Sequence, residues 1–162
     1  IWNDMIKTAF LPFIDSESEI IILGTFPSEK SLAKMEYYGN KQNQFWKLIY
    51  DVYETEYESV YSERLLFLKE NKVALWDIFQ SCERKGSLDS NIVHPEANDF
   101  QTLFANYPNL IMIVFSSKNA YNYYKKYVGN NFGKEILIMP STSGLYASMN
   151  YNDRLEIWKR IK

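Results

Sequence analysis

Three short stretches of this chain carry the side chains that could do chemistry. Gly24-Thr25-Phe26-Pro27-Ser28 leads out of a run of four aliphatic residues. Tyr37-Tyr38-Gly39-Asn40-Lys41-Gln42-Asn43-Gln44-Phe45-Trp46 sets a carboxamide, Asn43, beside two large aromatics. Pro140-Ser141-Thr142-Ser143-Gly144-Leu145 offers three hydroxyls in a row. Amides and hydroxyls donate and accept hydrogen bonds without fixed charge. Aromatic rings supply a flat apolar wall, and glycine lets backbone approach a ligand closely. Together they suit recognition of a flat polar ring such as a nucleobase.

Elements with clear periodicity must position these stretches. The continuous β-branched run 20–23 reads as a fully buried strand. Apolar spacing at Phe45, Trp46, Leu48, Ile49 and Val52 predicts a helix over 43–52, and 62–71 reads as a second helix. Strands follow at 73–76, with Asp77 near the end, at 110–115, and at 136–139, closed by Pro140. The 82–91 stretch is polar and turn-rich around Gly86. Asp99 is placed to cap a helix through Phe100, Leu103 and Phe104 that Pro108 stops, and Ser117 to cap 118–128. A last helix is predicted over 152–162. The order β, two helices, β, α, β, α, β, α implies a parallel sheet covered on both faces. In such a sheet ligands sit at the carboxyl ends of the strands. The loops 24–43, 77–91, 116–118 and 140–150 should therefore gather on one edge and form the site.

Bulk composition narrows the function. The 162 residues are the size of one domain, with no internal repeat, linker or low-complexity tract, so 1–162 is read as a single unit. Net charge is −2 and the pI about 5.5, which argues against a non-specific nucleic-acid coat protein with a broad basic face. The pairs Arg84-Lys85, Lys125-Lys126 and Lys159-Arg160 fit solvated edges better than phosphate contacts. One cysteine, Cys82, and one histidine, His94, leave neither an internal disulfide nor a usual zinc set. His94 is read as an incidental surface or loop residue. No apolar run approaches the length of a membrane span. The start, Ile1-Trp2-Asn3-Asp4, lacks a signal-peptide pattern, and a cytoplasmic protein is expected; the missing initiator Met suggests trimming of a few residues. No GxGxxG and no Walker-type phosphate loop occurs, which counts against a nucleotide-using doubly wound enzyme.

Four motifs in order, each at a strand end, carry a resemblance. They are Gly24-Thr25-Phe26-Pro27-Ser28; Tyr38-Gly39-x-x-Gln42-Asn43-x-Phe45-Trp46; Trp76-Asp77 with Cys82-x-Arg84-x-Gly86-Ser87-Leu88-Asp89-Ser90-Asn91-Ile92; and Pro140-Ser141-Thr142-Ser143. From Phe10-x-Pro12 to the last helix the chain resembles the uracil-DNA glycosylase superfamily, and within it the hypoxanthine-DNA glycosylase branch, also called DNA-deoxyinosine glycosylase. The resemblance implies an α/β three-layer sandwich with a four-stranded parallel sheet. It also implies a reaction: a deaminated base in DNA, hypoxanthine favoured and uracil an alternative, is flipped out and its N-glycosidic bond hydrolysed. Damaged DNA would be the partner, the protein a monomer, and no metal or cofactor would be required. No lysine falls inside a matched catalytic motif, so lyase activity is not expected.

The resemblance also distributes roles. Many members carry Asp, Asn or Glu at the position of Phe26; phenylalanine cannot activate water and is expected to stack on the flipped base. The catalytic role then falls on Asn43, whose amide can donate to a purine and whose carbonyl can hold water. Asn43 can equally cap the following helix, and the two roles are compatible. Thr25, Phe26, Tyr37, Tyr38, Phe45 and Ser116 are the expected base pocket, Trp46 being assigned to the core. Relatives often carry Asn where Ser116 stands, which weakens a uracil-type readout. Pro27, Ser28, Lys118, Ser141, Thr142, Ser143 and Leu145 are the expected DNA contacts, with Leu145 or Tyr146 as the wedge that fills the gap left by the base. Arg84 is expected to reach DNA or to pair with Asp89. The absent polar group at Phe26 and the acidic pI leave open a non-catalytic member of the same fold that binds nucleic acid or a free base.

Overall fold

A run of aliphatic residues on both faces of a strand is stable only at the centre of a covered sheet, and Ile20–Gly24 (β2) takes that place. In the computed structural model, which describes residues 6–146 and 148–162, β2 pairs in parallel with Val73–Asp77 (β3) on one side and Met112–Phe115 (β6) on the other. Glu135–Ile138 (β7) pairs in parallel with β6, so the order is β3-β2-β6-β7. The free edge of β3 is met by Phe13, which exchanges two backbone hydrogen bonds of 2.9 Å with Leu75. The reading of 1–4 as a start without a leader, and residue 147 of the expected 140–150 loop, lie outside the described residues.

Period-two alternation sorts the sheet into two faces. Ile21, Leu23, Ala74, Trp76, Ile113 and Phe115 pack on Phe100–Asn106 (α4) and Lys118–Tyr127 (α5). Ile22, Val73, Leu75 and Val114 pack on Phe45–Val52 (α2), Tyr61–Glu70 (α3) and Tyr151–Trp158 (α6). The result is the expected α/β three-layer sandwich. The cap assignments hold in detail. Asp99 accepts the Thr102 N–H at 3.0 Å, and Ser117 Oγ accepts the Ala120 N–H at 3.0 Å.

Two elements depart from the expected order. The 24–43 segment contains a short helix, Glu29–Lys34 (α1), capped by Ser28 Oγ on the Ser31 N–H at 3.1 Å; six residues give too little periodicity to register. A second sheet of three antiparallel strands also forms, from Ile6–Thr8 (β1), Phe79–Glu83 (β4) and Val93–Ala97 (β5), in the order β1-β4-β5. The stretch read as polar turn therefore includes strand. These strands are short and polar, and Pro95 stands in the last of them, so alternation is masked. His94 is exposed in β5 beside the Glu83 carboxylate.

Register brings the strand ends level. Gly24 stands opposite Asp77, Leu23 opposite Phe115, and Phe115 opposite Ile138. Everything that follows Gly24, Asp77, Phe115 and Ile138 thus emerges at one edge.

Candidate functional site

At that edge the loops enclose a cleft of about 280 Å³, near the lower end for small-ligand sites. Thr25, Phe26, Pro27 and Ser28 enter it from β2, Tyr37, Tyr38 and Asn43 from the segment between α1 and α2, and Ser116 from the end of β6. Ser141, Thr142, Ser143 and Leu145 close it from the loop after β7. Two expected site residues are elsewhere. Phe45 has no exposed surface and lies behind the wall, its ring stacked on that of Tyr38 at 3.8 Å between centroids. Lys118 does not line the cleft; its Nζ sits over the Tyr121 ring, 5.2 Å from the centroid.

The Asn43 carboxamide has a settled orientation. Its Oδ1 accepts the Phe45 N–H at 2.9 Å, at the start of α2, where Gln44 supplies no side-chain cap. A backbone donor on that atom identifies it as oxygen, so the NH2 edge is the part left to donate. Asn43 thus does serve the helix start, and one lone pair of its oxygen remains. Tyr38 adopts φ 54°, a left-handed conformation costly for a residue with a Cβ; the ring stack on Phe45 holds it there. The Tyr37 hydroxyl donates to the Leu11 carbonyl at 2.8 Å, so Tyr37 offers its ring edge rather than its hydroxyl.

Two carboxyl groups that sequence reasoning did not place in the pocket face the same cleft. Asp77, at the end of β3, is 5 % exposed, and its Oδ2 has no hydrogen-bond partner. Burial pushes its pKa from 3.8 up to about 7; the nearby Asp89 adds to the rise and Arg84 opposes it. Asp89 comes from the short 3-10 turn Asp89–Asn91; burial raises its pKa, while a hydrogen bond from Thr25 and the charge of Arg84 hold it down. A lone carboxylate closing an otherwise apolar buried strand is the signal by which the sequence could have given Asp77. Asp89 carries no such mark. Gly24 must be glycine for Asp77 to sit here, because a Cβ on it would lie 2.9 Å from Asp77 Oδ1.

The cleft is held together from behind by two buried arginines. Arg84 neither reaches outward to DNA nor forms an ion pair with Asp89. It donates through Nε to the Gly86 carbonyl at 2.9 Å and through Nη2 to the Pro27 carbonyl at 2.5 Å, with its guanidinium 5.1 Å from the Phe26 ring centroid. It therefore ties the 82–91 segment to the first motif. Arg154 of α6 bonds Gln44 Oε1 and donates to the Tyr146 and Met149 carbonyls at 3.0 and 3.1 Å. The Gln44 N–H donates to the Thr142 carbonyl at 2.9 Å, and a Cβ on Gly144 would meet the Gln42 carbonyl oxygen at 2.9 Å. The asparagine segment and the hydroxyl loop are thus one joined wall. At its tip Leu145 is 77 % exposed, whereas Tyr146 is half-buried beside Arg154.

Comparison with known proteins agrees with this architecture. Residues 11–162 match the model of the uracil DNA glycosylase superfamily. The chain is 37 % identical over 158 residues to a hypoxanthine DNA glycosylase of Methanosarcina acetivorans, covering 97 % of this chain and 98 % of that protein. It is 38 % identical over 141 residues to a hypoxanthine DNA glycosylase of Methanosarcina barkeri, covering 86 % and 88 %. Among solved structures it is similar to the solution NMR structure of a candidate uracil DNA glycosylase from M. acetivorans. There the TM-score is 0.84 at 37 % identity, covering 97 % of this chain and 96 % of the other.

Proposed function

We propose that this chain, which belongs to the uracil DNA glycosylase superfamily, is a monofunctional DNA glycosylase that removes a deaminated base, hypoxanthine before uracil, in base excision repair. The observation that carries the reading is the fixed Asn43 amide edge at a closed cleft with aromatic walls. The names of the two Methanosarcina relatives support hypoxanthine as the base.

Hydrolysis of a deoxyribosyl bond develops positive charge on the sugar and negative charge on the departing base. Donors aimed at the base lower that barrier most when they are already in place. The Asn43 NH2 is such a donor, oriented before any substrate arrives. Its remaining oxygen lone pair can hold water. The ring of Phe26 provides a surface for the base to lie on, and Tyr38, Thr25 and Ser116 close the polar side. Flipping costs a few kcal/mol, least for a mismatched pair. Leu145 is the side chain exposed enough to occupy the vacated stack. Ser141, Thr142, Ser143, Pro27 and Ser28 offer uncharged contacts to the strand.

A single-turnover incision assay tests this reading, using labelled duplexes with one hypoxanthine or one uracil and alkali to reveal abasic sites. Wild type is expected to cleave at hypoxanthine, and Asn43→Ala to be slower by about a hundredfold or more. Intact DNA with either base, single- or double-stranded, would overturn it in favour of a binding protein.

A further inference from the structure

The carboxyl group of Asp77 is left without work by the steps above, and its surroundings are those of a proton donor. Asp77 lines the cleft, and its Oδ2 is buried and unpartnered. Around Gly24, Asp77 Oδ1 converges with the Tyr38 hydroxyl and Ser116 Oγ, which would lie 2.9, 3.5 and 3.7 Å from a Cβ there. Its main chain is locked, the Asp77 carbonyl accepting from Asn98 Nδ2 at 2.7 Å. The charged and titratable groups facing it are Asp89, Arg84 and the hydroxyls of Tyr37 and Tyr38. The arginine donates to the Gly86 and Pro27 carbonyls through Nε and Nη2, while its Nη1 is buried without a partner, and its charge opposes the rise at Asp77. Among the described residues neither Asp77 nor Asp89 has a salt-bridge partner within 4.0 Å. Burial and the neighbouring Asp89 carboxyl both favour the protonated form of Asp77 over the ionised one, against the charge of Arg84.

We propose that Asp77 is the general acid that protonates the departing purine, with Asp89 as the neighbour that keeps the proton on it. This deepens the glycosylase reading and rests on it. A purine has a basic ring nitrogen, N7, on the five-membered ring that bears the glycosidic bond. As the C1′–N9 bond breaks, its electron pair passes to the base, the Asp77 O–H bond breaks and an N7–H bond forms, so the base leaves neutral. Water adds to the sugar cation and its proton returns to the ionised carboxyl. Uracil has no comparable basic nitrogen and spreads its charge over two carbonyls, so the same acid favours hypoxanthine.

The test uses single-turnover rates from pH 5.5 to 9 for wild type, Asp77→Asn and Asp89→Asn. The duplexes carry hypoxanthine or 7-methylhypoxanthine, the latter already cationic where the proton would go, with spontaneous loss subtracted. Wild type should cleave hypoxanthine at a steady rate at low pH and about tenfold more slowly per pH unit on the alkaline side. Asp77→Asn should cut that rate by about a hundredfold and abolish the alkaline fall, yet stay within about threefold of wild type on 7-methylhypoxanthine. Asp89→Asn should move the alkaline fall to lower pH. Asp77→Asn acting at the wild-type rate, or equally impaired on both bases with an unchanged pH profile, would overturn the acid role. If Asp77→Asn fails to fold, wild type decides: a hypoxanthine rate that does not fall between about pH 6 and pH 8 would also overturn it. Wild type inert on both duplexes would instead remove the glycosylase reading itself.

Discussion

The segment that carries Tyr37, Tyr38 and Asn43 has two unlike sides. Inward is the cleft, where Asp77 and Asp89 face serine, threonine and aromatic groups and no lysine or arginine lines the wall. Outward is a groove lined by Lys34, Lys41, Lys47 and Arg64 with Trp46, Tyr57 and Tyr61, and a single acid, Glu36. Among the described residues none of those four cations makes a salt bridge. Lys34 and Arg64 are tied to carbonyls, those of Gly39 and Glu58, while Lys41 and Lys47 are exposed. A cleft with carboxyl groups and no cation on its wall has nothing to attract a phosphate, whereas exposed lysines attract one. The contrast lies within a few residues: acids, hydroxyls and aromatics on one side, cations and aromatics on the other. A net charge of −2 conceals the second because it averages the two.

The sharpest break of this comparison is Asn43→Asp. A carboxylate still accepts the Phe45 N–H, and is favoured at a helix start, but it removes the donor and adds a third acid to the cleft. Hypoxanthine excision should fall by about a hundredfold to a thousandfold with the melting temperature held. Asn43→Ala should instead lose about 1 kcal/mol of stability along with activity. Full excision by Asn43→Asp with the melting temperature held would reduce Asn43 to a cap.

A second expectation concerns the cost of keeping Asp77 buried. Its pKa is raised from 3.8 to about 7, so the folded protein holds the proton more tightly than the unfolded chain. Stability should therefore fall as pH rises from about 4 through about 7. Asp77→Asn should remove that dependence and exceed wild type above pH 7 by a few kcal/mol, the gap closing toward pH 4. Denaturant melts across that range decide it, and parallel curves for the two proteins would contradict it.

Gly24→Ala tests how tightly the cleft floor is built. Its new Cβ would press on Asp77 Oδ1, at a cost of about 1–3 kcal/mol, read as a lowered denaturation midpoint. An unchanged midpoint would show a floor that yields freely.

The smallest effect belongs to the outer face. Lys41→Gln and Lys47→Gln should each weaken binding to any duplex modestly and lower the salt slope of binding by about 1, whichever base is present. Lys118→Gln, over Tyr121 and away from the cleft, should leave the slope where it was. A reversed ranking would move the strand to the other side of the site.

Legibility in the sequence followed the length and periodicity of each element. The 20–23 strand, the α2 stripe and the Asp99 and Ser117 caps are local patterns, and each appears in the fold. The six residues of α1 and the polar strands β1, β4 and β5 were hidden because their partners, not their own pattern, stabilise them. Arg84 shows the same limit. From its neighbours it reads as a surface cation, but it is buried because the Pro27 carbonyl is within its reach.

By itself, the sequence determined the alternation of strands and helices, and hence a parallel sheet with its loops on one edge, because burial of apolar stripes leaves few other arrangements. It also supplied the motifs whose order marks the superfamily. Only the tertiary structure decided which side chains meet there. Phe45 lies behind Tyr38, Lys118 turns away, and Asp77 and Asp89, from separate segments, share one cleft. Desolvation raises the pKa of both, and the charge of Asp89 adds to the rise at Asp77; neither effect exists until the chain has folded.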